Sequence, residues 1–215
     1  WRRNSPDWRF DEAMLDRAAE AFRNPDYVDV VIHSYRHRLG YAPGADEYLA
    51  EQSALATLPP IRVPAVTLDG TADGNFPAGD GSASAARFAG PRVHHQIPHA
   101  GHNLPQEAPF AFAQAVLEEC ARFNQDVIAP LNVAGDRNPS SFKDGEVTTT
   151  AGFKEAFAQY LSGGWQGLQH PADFGGQGLP KTIGAACGEM LNSANMSFAL
   201  CPLLSDGAIE ALLTA

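Results

Sequence analysis

The chain has 215 residues, 44% hydrophobic and 19% charged, with a net charge of -10. That is the composition of a folded globular chain, long enough for one large domain or two small ones. Its Lys and Arg residues are scattered and form no basic stripe, which excludes nucleic acid as an expected partner, because phosphate binding needs clustered cations.

Apolar residues at Phe10, Met14, Leu15, Ala18, Ala21 and Phe22 follow a helical period, so a helix is expected over 10–22. Asn24-Pro25-Asp26 breaks it and leads into a second helix over 27–38. A turn at 40–44 precedes a third helix over 46–56. The character changes at Leu58-Pro59-Pro60, after which Val63 to Gly70 is a short apolar run, the mark of a buried strand. A short helix over 82–88 and a strand over 93–97 come next, then a glycine turn carrying His102.

A further helical pattern begins near 105–107. It keeps three- and four-residue spacing from Ala113 through Val127 and Ile128 to Pro130. The polar stretch 135–150 reads as a loop, 152–161 as a helix, and the glycine-punctuated segment 163–178 as irregular. Helices over 182–193 and 199–213 complete the pass.

Cys120, Cys187 and Cys201 are far apart and odd in number. They match neither a disulfide framework nor a zinc-ligand spacing, and their apolar neighbours make them read as buried inert thiols. No apolar run approaches the roughly 18 residues of a membrane span, and the given residues start at Trp1 with no signal-peptide pattern, so a cytoplasmic location is expected. Both ends look cut: Trp1 is not a methionine, and Ile209-Glu210-Ala211-Leu212-Leu213 is still helical in character.

Gly70-Thr71-Ala72-Asp73-Gly74-Asn75-Phe76-Pro77 closes the first strand, and Ala100-Gly101-His102 comes after the second, leading into Pro105-Gln106-Glu107-Ala108-Pro109. In this order, after helices that would finish a cap, residues 1 to about 118 resemble the last part of an α/β-hydrolase of the epoxide-hydrolase and haloalkane-dehalogenase type. The resemblance implies that Asp73 orients and stabilises the His102 imidazole. His102 then activates a hydroxyl, or a water that attacks an ester intermediate. Asp69 and Asp80 are lesser candidates for the acid, while His94, His95 and His99 read as strand or surface residues. Asp73 read alone is a loop aspartate capping the helix after it. Tyr35 is a candidate cap donor to a substrate oxygen; its simpler reading is a partly buried helix tyrosine.

The nucleophile of such a site sits on a Gly-x-Ser-x-Gly-like elbow. Glycines four apart occur at Gly40 and Gly44, Gly70 and Gly74, Gly163 and Gly167, and Gly184 and Gly188. Their centres are Ala42, Ala72, Trp165 and Ala186, none of them a nucleophile.

Ile128-Ala129-Pro130-Leu131-Asn132, Gly163-Gly164-Trp165-Gln166-Gly167-Leu168 and above all Pro171-Ala172-Asp173-Phe174-Gly175-Gly176-Gln177-Gly178-Leu179-Pro180 belong to another pattern. They are similar to the N-terminal helical domain of an acyl-CoA dehydrogenase, in the subgroup that includes methylmercaptopropionyl-CoA dehydrogenases. The glycine loop lacks Gly-Lys-Ser/Thr and a preceding strand, so it reads as a device for close helix packing and not as a phosphate cradle. The resemblance implies FAD only for a complete dehydrogenase. No residue here is carried over as a flavin ligand or catalytic base, and Glu189 and Glu210 read as solvated helix glutamates.

The expected architecture is therefore mixed. Residues 1–112 form a partial α/β-hydrolase, with cap helices over 8–56 and strand–loop–helix–strand over 63–104. Residues 113–215 form an all-α bundle, and one long helix crosses the junction. The sheet remnant has too few strands to bury both faces well. The functional expectation is a chimeric or truncated chain, with acid and base but no nucleophile and with no flavin domain, hence not catalytic alone. The alternatives are a hydrolase completed by a partner or by a missing N-terminal segment, and a helical, self-associating module of a dehydrogenase. Small-molecule and acyl-CoA substrates belong to the complete parents.

Overall fold

The computed structural model describes residues 1–214; Ala215, the end of the second expected segment, lies outside the described residues. The chain is mostly helical, with two small sheets.

The first helices form where the periodicity places them. Asp11 caps α1 (Glu12–Ala19) by accepting from the Met14 N–H at 2.7 Å, and a 3-10 turn extends it to Arg23. α2 spans Tyr27–Arg38 and α3 Leu49–Ala56. None of the three contains a buried residue, and Ser5 is the only buried residue before position 61. Phe22, Val28, Val30 and Leu39 are exposed on or beside them. Amphipathic spacing is thus present without a surface covering it.

β1 (Ala65–Gly70) and β2 (Arg92–Ile97) pair in parallel, with Ala65 opposite Arg92 and Gly70 opposite Ile97. The short α4 (Ser82–Ala85) lies in the crossover between them. This register puts the carboxyl ends of both strands side by side, the edge at which parallel sheets present their loops. Only Gly70 in the two strands is fully buried, so the apolar run over 63–70 is a strand but not the buried one expected: a two-stranded remnant does not cover both its faces.

After the one-turn α5 (Leu104–Glu107), Pro109 opens α6 (Pro109–Phe123). A π-helical turn over Asn124–Ile128 joins it to α7 (Ala129–Arg137). Pro130 has no N–H to give to the Asp126 carbonyl and its ring crowds that oxygen, which accounts for the widened turn. One helical run therefore crosses from the sheet to the bundle. α6 packs on β1 through Phe112, Ala115 and Val116, which face Val66 and Leu68 across a cavity of about 200 Å³.

The loop expected over 135–150 is corrected at both ends. α7 continues to Arg137, and Ser141–Lys143 (β3) pairs antiparallel with Glu146–Thr148 (β4). Asp144 and Gly145, both at positive φ, form the two-residue turn that such a hairpin requires. The segment reads as polar because each strand is three residues long and exposed, with a single apolar residue, Phe142 or Val147, paired across the hairpin.

The bundle core is built from α6, α8 (Phe153–Ser162), α9 (Lys181–Ala194) and α10 (Met196–Thr214) with the π turn. Phe123, Ile128, Ala156, Tyr160, Leu191, Phe198 and Ala199 are its buried side chains. The glycine loop folds back on the segment before it, with Gly176, Gln177, Gly178 and Leu179 donating to the carbonyls of Pro171, Gly167, His170 and Leu168. A side chain at Gly176 would strike the His170 carbonyl.

The expectation that no apolar run reaches membrane length is also corrected. α10 has 19 residues and a mean hydropathy of 1.4, enough to cross a bilayer by length and composition. Its charges are only Asp206 and Glu210, and both are paired, to His170 and Lys181; Phe198, Ala199 and Pro202 are buried.

Candidate active site

Asp73 stands three residues beyond the end of β1 and His102 five beyond the end of β2. The parallel register brings them together, with His102 Nδ1 3.0 Å from Asp73 Oδ2. Asp73 Oδ1 accepts the N–H groups of Asn75 (2.7 Å) and Phe76 (3.0 Å). One carboxylate oxygen thus shapes its own loop and the other holds the imidazole. Asp73 caps that loop and not a helix, since α4 begins only at Ser82. Burial raises the Asp73 pKa, but the His102 contact and the two backbone hydrogen bonds outweigh it and hold the carboxyl below its ordinary value. An ionised Asp73 only accepts, so the His102 proton is assigned to Nδ1. Nε2 then carries the free lone pair, and it has no partner among the described residues.

Phe76 lies against the imidazole, with ring centroids 5.7 Å apart. Phe76, Leu68, Pro77 and Leu104 join the pair around a cavity of about 110 Å³. The His102 side chain is 38% exposed there and that of Asp73 12%. This is an oriented base at the mouth of a small, partly apolar recess.

The turn is clamped from two sides. Glu107 accepts from the N–H groups of Gly101 (2.6 Å) and Asn103 (2.8 Å) and from the Ser5 hydroxyl (2.5 Å). The Asn4 carbonyl accepts from Gly74 (3.0 Å) and His102 (3.2 Å), bridging the acid loop to the base turn. Gly101 is needed because a Cβ there would stand 2.6 Å from the Ser5 Cα. Ser5 is not a nucleophile for His102: it is buried, its proton goes to Glu107, and it accepts from the His102 backbone N–H.

The other candidates go elsewhere. Asp69 accepts from the Gly79 N–H and lies 3.8 Å from His94, while Asp80 caps the turn at Ser82. His94 is held by Thr67 and the Gly79 carbonyl, and His99 is exposed beside Asp7. Tyr35 is not partly buried: it is 62% exposed on α2, does not line the recess, and its phenol has no hydrogen-bond partner among the described residues. Among the described residues, no group of three or more metal-ligating side chains gathers.

No protein-family model matches the chain. Over 100 residues, 46% of its length, it is 52% identical to a 3-methylmercaptopropionyl-CoA dehydrogenase of Ruegeria pomeroyi. Its fold matches the crystal structure of a proposed epoxide hydrolase from Klebsiella pneumoniae with a TM-score of 0.52 and 42% identity over 55% of this chain. The chain is similar to two different enzymes. It spans 17% of the dehydrogenase and 39% of the hydrolase-like chain.

Two polar groupings escaped the sequence. Glu107 was visible only as part of the Pro105–Pro109 motif, with no role attached. In the bundle, Asp206 Oδ1 accepts from the Gln166 side chain at 2.6 Å and lies 2.8 Å from Nε2 of the buried His170. His170 Nδ1 is buried and unpaired. These residues lie 36 and 40 positions apart, beyond any local pattern.

The Asp73 contact has a pH signature. Because the folded pKa lies below the ordinary 3.8, the contact adds stability above that value and loses it as pH falls through the folded pKa. Wild type should therefore lose stability relative to Asp73→Asn on acidification through and below pH 3.8. Chemical denaturation at stepped pH checks this; parallel curves for the two proteins would remove the contact from the stability balance.

Proposed function

We propose that the chain joins a hydrolase-derived segment, residues 1–112, to the N-terminal helical part of an acyl-CoA dehydrogenase, residues 113–215. On this reading it is chimeric or truncated, and the residues present do not catalyse by themselves. The observation that carries it is the 3.0 Å pair of His102 and Asp73, in which the base is oriented but its Nε2 meets no nucleophile among the described residues. A base of this kind accelerates reaction only when a hydroxyl, thiol or water with an electrophile is held against it. The matched shares of 55% and 46% suit two adjacent segments meeting near residue 115. The uninterrupted run of α6 into the π turn and α7 supports a junction inside a helix, without a flexible linker.

The same reading gives these residues no flavin, a cytoplasmic location, and no substrate of their own. FAD and an acyl-CoA belong to a complete dehydrogenase and a small electrophile to a complete hydrolase. The purified chain is expected to hydrolyse neither p-nitrophenyl acetate nor styrene oxide faster than its His102→Ala variant. Turnover that disappears in the variant would instead support a hydrolase completed elsewhere. Flavin absorbance retained through purification would contradict the assignment of no cofactor.

A second reading, a self-associating helical module, is favoured by the exposed apolar side chains of α10, among them Leu200, Leu204 and Leu212. A concentration-independent monomer in size-exclusion chromatography with light scattering would dismiss it.

A further inference from the structure

Cys120 and Cys187 are 67 positions apart in the sequence, yet the fold brings them together across the contact of α6 with α9. The Cys120 Sγ lies 4.0 Å from the Cys187 carbonyl oxygen, and the two thiols form one buried cluster with Leu168. Both line a single cavity of about 70 Å³, and both are reduced. Cys201, the third thiol, is exposed on α10 and stands apart from the cluster. Two of the three cysteines are therefore a facing pair, and the third is not buried, which corrects the reading of three separate inert thiols.

We propose that Cys120 and Cys187 are a modification site, a dithiol that hydrogen peroxide converts to an intramolecular disulfide tying α6 to α9. The two side chains share one buried cluster and one cavity wall, and the cavity has room for a molecule with two heavy atoms. The contact holds the Cys187 thiol below its ordinary range against the effect of burial and pushes Cys120 up, so Cys187 is taken as the first sulfur to react. The Asn124 side-chain N–H, 3.3 Å from the Cys120 sulfur, is placed to stabilise negative charge there in the second step.

The balance is simple. The Cys187 thiolate attacks one peroxide oxygen, the O–O bond breaks, and the hydroxide released takes up a proton to leave as water. Cys187 is now a sulfenic acid. The Cys120 sulfur attacks the Cys187 sulfur, the S–O bond breaks, and the second hydroxide leaves as water with the Cys120 proton. Two thiols are oxidised by two electrons, and one peroxide is reduced to two waters.

The test uses the full chain carrying Cys201→Ser, which removes the exposed thiol and leaves two of the three cysteines. The protein is treated with hydrogen peroxide, quenched, unfolded and alkylated. The expected result is a fall from two alkylatable thiols to none, a mass loss of two hydrogens, and a proteolytic fragment linking Cys120 to Cys187. Dithiothreitol should restore both thiols. Two thiols still alkylatable after treatment would overturn the proposal. So would Cys187 oxidised to sulfinic acid without a link, or disulfide-linked dimers in place of the intramolecular bridge.

Discussion

Phe198→Ala is expected to destabilise the helical bundle by about 3–5 kcal/mol, the cost of deleting a buried aromatic side chain. Phe198 is 3% exposed and ties α10 to α8. Its ring meets Tyr160 edge-on at 5.9 Å, Phe157 at 6.1 Å and Phe153 at 6.1 Å. Each such pair adds about 0.5–1.5 kcal/mol beyond the area it buries, and alanine loses all three. The backbone entry to α10 also converges here, because Asn195 Oδ1 accepts the Phe198 N–H at 3.1 Å and the Ser197 hydroxyl at 2.7 Å. For a chain of this size the loss corresponds to a fall in thermal midpoint on the order of 10 °C. Helical circular dichroism followed through a thermal melt reads it. Phe110→Ala is the control, since Phe110 is 91% exposed and its truncation should move the midpoint little. A Phe198→Ala midpoint equal to wild type would mean that this aromatic cluster does not hold the bundle.

Helix positions were legible because their apolar spacing survives in the sequence; α2 begins and ends at the residues its breakers mark. The acid–base pair was legible for another reason. A glycine turn and a Gly-x-x-Asp-x-x-x-Pro loop are local signals, and a parallel pair of strands turns two local signals into one site. What the sequence hid was long-range or exposed. Nothing around Cys120 announces Cys187, and nothing around His170 announces Asp206. The hairpin at 141–148 had a clear Asp-Gly turn, but strands of three residues with one apolar residue each, Phe142 and Val147, are too short to show a period. Helical periodicity alone also could not tell that α1, α2 and α3 would bury nothing. Periodicity records the face a helix presents and is silent about what lies opposite.

Glu107→Ala should dismantle the base turn while leaving the bundle folded. Three donors converge on this one carboxylate: the Gly101 and Asn103 N–H groups and the Ser5 hydroxyl. Hydrogen bonds to a charged group contribute about 1.5–3 kcal/mol each, and a buried donor left unpaired costs a further desolvation penalty. Ser5 is 1% exposed, so water does not replace Glu107 at its hydroxyl without local opening. The contributions are not additive within one network, and a total of about 3–5 kcal/mol is expected, confined to the segment around the sheet. The informative readout is His102 itself. In wild type the Nδ1 proton is held against Asp73 and should give a slowly exchanging imidazole resonance; in Glu107→Ala that resonance should broaden or vanish as the turn loses its register. Asp73→Asn should perturb the same resonance while leaving the turn's amide protons protected, which separates loss of the orienting partner from loss of the scaffold. Glu107→Gln, which keeps one acceptor oxygen but turns an NH2 toward the donors, should fall between Glu107→Ala and wild type. An unchanged imidazole proton in Glu107→Ala would show that Asp73 alone positions the base, and that the contacts of Ser5 and Asn4 on the turn are incidental to it.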